Sequence, residues 1–192
     1  MGLGTAMGIT NEPNASVGPN KIKDLNCLNG RRMNPMDKII LIKFPFRKTG
    51  IPATLLIQEE PEMCRIVWDL LGQPMKMICH HTLSTGDYFH GCGRPPRHPI
   101  VIGSQATPLG KKQLLLSQLK PGSIVYSGGH DIAIAYGSDL TEPLMARGPV
   151  VARVSKDFLG ALYEAGREIW NAQFITHQLQ TITLKRKDVS YA

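Results

Sequence analysis

At 192 residues the chain is long enough to bury a full core without disulfide or metal staples, and its length suits one domain better than two. Apolar content of 42% with 19% charged residues excludes wholesale disorder, and no run approaches the ~18 consecutive apolar residues that a spanning helix needs. The formal charge of +7 argues little for nucleic acid once it is divided: residues 1–50 hold eight Lys/Arg against three Asp/Glu and residues 51–192 hold fourteen against twelve, so the globular part lacks a phosphate-binding surplus.

The four cysteines, Cys27, Cys64, Cys79 and Cys92, are few for a disulfide framework and form no CxxC pair. Reduced thiols are expected. No basic segment followed by an apolar run marks the N-terminus, and a cytoplasmic location follows as the expectation. Residues 1–36 are rich in Gly, Asn, Pro and Met without an apolar period of 2 or 3.6, which predicts a flexible leader ahead of one domain over 37–192.

From Lys38 the pattern changes. Lys38–Phe44 and Ala53–Gln58 are β-favouring runs joined by the turn residues of Arg47–Pro52, which predicts a hairpin. Glu59, Glu60 and Glu62 surround Pro61, placing proline at a helix start and acids where the helix dipole favours them. Cys64, Val67, Trp68 and Leu71 recur at helical spacing before Gly72 and Pro74 end the segment. Met75–Thr82, Tyr88–Cys92, Pro99–Gly103, Ser123–Ser127, His130–Tyr136 and Val150–Val154 read as short strands between Gly and Pro turns, with Gly128-Gly129 suited to a tight hairpin. Ser155–Trp170 reads as a second helix with Ser155 as N-cap, and Phe174–Lys185 as a closing β run. Many short strands with one early and one late helix predict a mainly β protein, an α+β barrel with helices plugging its ends.

The order of "LIQEEPEMCRIVWDLL", "KPGSIVYSGGHDIAIAYG" and "GPVVARVSKDFLGALYEAGREIW" before "ITLKR" resembles the bacterial cyclophilin-like family across residues 38–187. The resemblance implies a cyclophilin-like closed β-barrel. Its members with an associated activity are the cucumopine and mikimopine type opine synthases, which condense histidine with 2-oxoglutarate in a cofactor-free Pictet–Spengler ring closure. Peptidyl-prolyl isomerases are a more distant match, since no "FHR" strand and no Gln-Gly-Gly-Asp segment is present.

Reactive side chains are densest between Cys79 and His98. If Ser84–Asp87 is a turn with Leu83 opposite Tyr88, then His81 pairs with His90 and Cys79 with Cys92, and four zinc-type ligands share one face. A slip of one residue would separate the pairs. The plainer reading, cysteines as small core residues and histidines at the strand rim, is preferred, and no metal is expected. As a metal-free general base, His81 or Glu60 is the first choice, with His130 and Tyr136 as further catalytic candidates; each also suits a structural role. Arg94 and Arg97 flank Pro95-Pro96 and could hold a carboxylate bidentately, with Arg147 a weaker counterpart and Tyr88 a hydrogen-bond donor or core aromatic. The resulting expectation is a cofactor-independent enzyme joining an amino acid to a 2-oxo acid. Its alternatives are a non-catalytic small-molecule binder on the same barrel and, further off, a peptidyl-prolyl isomerase. The expected partner is a small molecule bearing carboxylates, with a homo-oligomer allowed and neither nucleic acid nor membrane.

Overall fold

Met75, Met77, Cys79 and His81 alternate with Lys76, Ile78 and His80; the first four are buried and the other three exposed. That period of two is what a strand with one face on a core requires. In the computed structural model, which describes residues 38–95, 97–98, 101–102 and 110–187, eight such strands build the fold. They are β1 (Ile39–Lys43), β2 (Ile51–Leu55), β3 (Met75–His81), β4 (Gly86–Gly93), β5 (Ser123–Gly128), β6 (Asp131–Leu140), β7 (Val150–Val154) and β8 (Thr181–Arg186). Two helices join them, α1 (Pro61–Leu70) after β2 and α2 (Leu159–Phe174) after β7. The expected leader, residues 1–36, lies outside the described residues.

The strands run β1-β2-β7-β5-β6-β4-β3-β8 around a closed barrel, with every neighbouring pair antiparallel and β8 returning to β1. This is the mainly β, closed architecture with two helices that the cyclophilin-like resemblance implies. Inward residues such as Ile40, Ile42, Phe89, Ile134, Tyr136 and Leu184 fill the barrel, and α1 and α2 add Cys64, Val67, Leu162 and Ile169 to the same core. A second, smaller cluster lies outside the sheet, where Leu114, Leu116 and Leu119 cover Tyr88, Val125, Ala133 and Ala135. The sheet is therefore buried on both faces there. Among the described residues no helix is long and apolar enough to cross a membrane.

Proline at its first turn starts α1 as expected, and Trp68 on that helix is covered by two cations, Arg186 at 4.6 Å and Lys38 at 5.1 Å from the ring centre. Arg186 also donates to the Trp68 carbonyl at 2.9 Å, which ties the last strand to the first helix.

Several expected boundaries move. β2 is Ile51–Leu55, earlier than Ala53–Gln58, because Leu56 already pairs with Val151 outside the strand ladder. Ser155 precedes a single 3-10 turn, Lys156–Phe158, and makes no side-chain cap. Helix α2 then continues to Phe174, and the closing strand begins only at Thr181. Of the Pro99–Gly103 strand candidate, Val101 and Ile102 lie outside any strand and the remainder is not among the described residues.

Candidate functional site

The pairing of β3 with β4 decides which reactive groups meet. Ile78 faces Cys92, Cys79 faces Gly91, His80 faces His90 and His81 faces Phe89. This is one residue away from the expected pairing, so Cys79 and His81 point into the barrel while His90 and Cys92 sit on the outer face. A four-ligand zinc site is overturned by that register. Burial pushes the Cys79 thiol up to about 12, with the Cys92 thiol adding to the shift, as suits a small core residue.

At the end of the barrel covered by α2, His81 is 2% exposed and both ring nitrogens have partners. Nδ1 lies 2.7 Å from the Thr82 carbonyl oxygen and Nε2 lies 2.8 Å from the Tyr136 hydroxyl. A carbonyl only accepts, so the neutral ring carries its proton on Nδ1 and Nε2 accepts from the phenol. Tyr136 packs against Phe89 and Tyr163, and burial, then the Asp87 charge, push its phenol pKa up against an opposing pull from Arg167. The His81 backbone is held by Gln173 of α2, which accepts its N–H at 2.6 Å and donates to its carbonyl at 2.8 Å. Two residues from different elements thus fasten the helix over the barrel.

Burial lowers the His81 pKa, opposed by the Thr82 hydrogen bond and the Asp87 charge. Because the folded value is depressed, the unfolded chain binds more protons in acid. The stabilising contribution of neutral His81 is complete above the ordinary value of 6.5 and is lost as pH falls through 6.5 towards the folded value. Melting temperature should therefore fall as pH drops below the ordinary value of 6.5, less steeply in His81→Gln. An equal slope in both proteins would deny His81 this role.

The opposite end carries α1. Glu60, 4% exposed, accepts the Lys111 N–H at 2.8 and 2.9 Å and the Lys112 N–H at 2.8 Å. His130, in the turn between β5 and β6, places Nδ1 2.6 Å from the Arg94 carbonyl, and its own carbonyl accepts the Gly93 N–H at 3.0 Å. Arg94 and Arg97 are exposed, with the Pro96 between them outside the described residues. His81 and Tyr136 are thus brought together, His130 and Arg94 meet through the Arg94 backbone, and Glu60 stands apart from both pairs.

A third grouping lies on the outer face. Tyr88, His90 and Cys92 alternate along β4, with exposed His80 directly across from His90. The Tyr88 and His90 rings meet edge to face at 5.2 Å and 89°. Exposed Arg147, on the approach to β7, acts electrostatically on Tyr88, His90 and Cys92. Burial first, then the Arg147 and His80 charges, lower the His90 pKa, against an opposing pull from Asp131. His90 is therefore a neutral imidazole at neutral pH, able to take a proton. Burial likewise pushes the Tyr88 phenol up, and it stays protonated.

Sequence reasoning missed His80 and treated His90 only as a zinc ligand. The available signal was the spacing of Tyr88, His90 and Cys92 by two. The described residues also frame a cleft of about 430 Å³ between Phe46–Thr49 and the α2 acids Glu164 and Glu168, which none of the candidate residues lines.

No protein-family model matches the chain, and neither does any curated protein sequence. Among solved structures, the chain is similar to McbB, described in complex with tryptophan, at 25% identity and a TM-score of 0.61. The match covers 80% of this chain and 46% of that one, so this chain spans less than half the length of a neighbour that holds a small molecule with a carboxylate.

Proposed function

We propose that the outer face of β3 and β4, around His80, His90 and Cys92, binds an aromatic amino acid and that the chain condenses it, without a cofactor, with a small oxo acid. The observation that carries this reading is the likeness over 80% of the chain to a protein solved with tryptophan. The outer face supplies suitable chemistry. Arg147 offers a guanidinium to the amino acid carboxylate, and Arg94 and Arg97, just beyond the end of β4, offer the same to the second acid. Tyr88, buried under Leu116 and Leu119 and edge to face with the His90 ring, is a positioning residue for the imidazole.

In the reaction the amino nitrogen attacks the carbonyl carbon and water leaves, forming an imine. An electron-rich ring carbon of the amino acid then bonds to the imine carbon. The proton displaced from that ring carbon passes to His90, and the imine nitrogen gains a proton to become a secondary amine. Holding both partners in attack geometry can supply up to about 7–11 kcal/mol in favourable cases. In this reading His81 and Tyr136 seat α2, Glu60 anchors the segment at Lys111, and His130 steadies the chain at Arg94.

The full partnering of His81 and Glu60 by the protein itself favours a second reading, a binder without turnover. Titration with L-tryptophan, followed by incubation of L-tryptophan or L-histidine with 2-oxoglutarate and mass spectrometry, separates the two. The expected product has the mass of both reactants less one water. His90→Ala should slow its formation by about 10²–10⁴-fold, while Arg147→Ala weakens tryptophan binding by about tenfold. Binding without product selects the second reading, and absence of both overturns the site.

A further inference from the structure

The turn between β1 and β2 and the exposed side of α2 frame the cleft of about 430 Å³ that none of the candidate residues lines. That volume falls within the range of about 300–1,000 Å³ usual for small-ligand sites. Its hairpin wall is Phe46, Arg47, Lys48 and Thr49, and its helix wall is Glu164 and Glu168.

Two contacts hold the walls in place. Arg47 reaches Glu164 at 3.0 Å, an ion pair that joins the turn to the helix. The Phe46 ring packs on Phe44 with 5.5 Å between ring centres, and buried Phe44 in turn meets Phe89 of the barrel at 6.5 Å, so the exposed side of Phe46 is an apolar surface anchored to the core.

The remaining charges select the ligand. Glu168 lies one helical turn beyond Glu164 on the same side of α2, and among the described residues the ion pairs are Arg47–Glu164 and Arg65–Asp69. Lys48 and Glu168 therefore line one cleft from opposite walls without pairing with each other. The Arg47–Glu164 pair adds no net charge. A ligand with a single charge satisfies one wall and leaves the other unmatched, whereas a zwitterion answers both.

The geometry points to a site for a free α-amino acid with an apolar side chain. Its carboxylate accepts from the Lys48 ammonium, its own ammonium donates to the Glu168 carboxylate, and its side chain lies on Phe46. This site is separate from the outer face of β3 and β4 and stands whether or not that face binds tryptophan.

Backbone amide shifts of Lys48, Thr49 and Glu168 in the whole chain, followed at constant pH and ionic strength, report on the cleft. L-phenylalanine, 3-phenylpropionate and 2-phenylethylamine form the three arms, sharing a ring and differing in the charges they carry. Saturable shifts are expected with L-phenylalanine at a midpoint about three- to fivefold below that of either single-charge compound, the scale of one exposed charge pair. Glu168→Gln should weaken L-phenylalanine and 2-phenylethylamine by that factor and leave 3-phenylpropionate unchanged. Lys48→Met should weaken L-phenylalanine and 3-phenylpropionate and spare the amine. Arg147→Ala should leave the L-phenylalanine midpoint at these amides unchanged, so failure of this site and failure of the tryptophan face are read separately. No saturable shift with L-phenylalanine, equal midpoints for the three compounds, or variants that do not cross in this way would overturn the proposal.

Discussion

Replacing Gly166 by alanine is expected to destabilise the fold by about 3 kcal/mol, in the range of overpacked cores. A Cβ at this position would lie 2.2 Å from one atom of the Tyr136 ring and 2.4 Å from two others. The ring has no direction in which to yield, since Phe89 and Tyr163 pack against it and its hydroxyl is bound to the His81 ring. The helix is also held down, because Gln173 two turns later is bonded to the His81 backbone. Gly160 in the same helix provides the control, for a Cβ there meets nothing within 4 Å. Alanine at that position should stabilise by about 0.4–1 kcal/mol through helix propensity and unfolded-state entropy alone. Urea denaturation of the two variants should therefore give opposite signs, and a stable Gly166→Ala would mean that α2 sits less tightly on the barrel than these distances require.

Glu60→Ala should cost about 2–4 kcal/mol, because it removes the only acceptor shown for the Lys111 and Lys112 N–H groups and orphans two donors at once. The effect has a local signature. Hydrogen exchange at the Lys111 and Lys112 amides should accelerate beyond the change in global stability, while Glu60→Gln, which keeps one carbonyl acceptor, falls between. Protected amides in Glu60→Ala would show that the segment is held by something other than this carboxylate. A role for Glu60 as substrate base predicts a different outcome, lost activity without altered exchange.

The two helices, most of the strands and the barrel were legible because local periodicity and punctuation encode them. Cys64, Val67 and Leu71 mark the buried side of α1 whatever lies beneath it. The register of β4 was not legible. Tyr88 and Phe89 are both buried, one outside the sheet under Leu116 and Leu119 and the other inside, so adjacent aromatics give no phase to the strand. Without that phase, His81 and His90 could be placed on one face. The site residues suffered from a related difficulty, since Glu60 is matched by backbone N–H groups 51 and 52 residues away and His81 by a phenol 55 residues away. Such partners leave no trace in local spacing. Acids before a helix are explained by the dipole alone, and the buried carboxylate anchor hides behind that explanation.

Closure of β8 onto β1 has an implication for assembly. A sheet that ends in a free strand can recruit another polypeptide through its main chain, and here every strand already has two neighbours. Docking by strand addition is therefore foreclosed along this wall. A second copy or any other macromolecule would have to recognise side chains, and its selectivity would be written in surface chemistry such as the His80 and Ile78 stripe instead of in backbone hydrogen bonds.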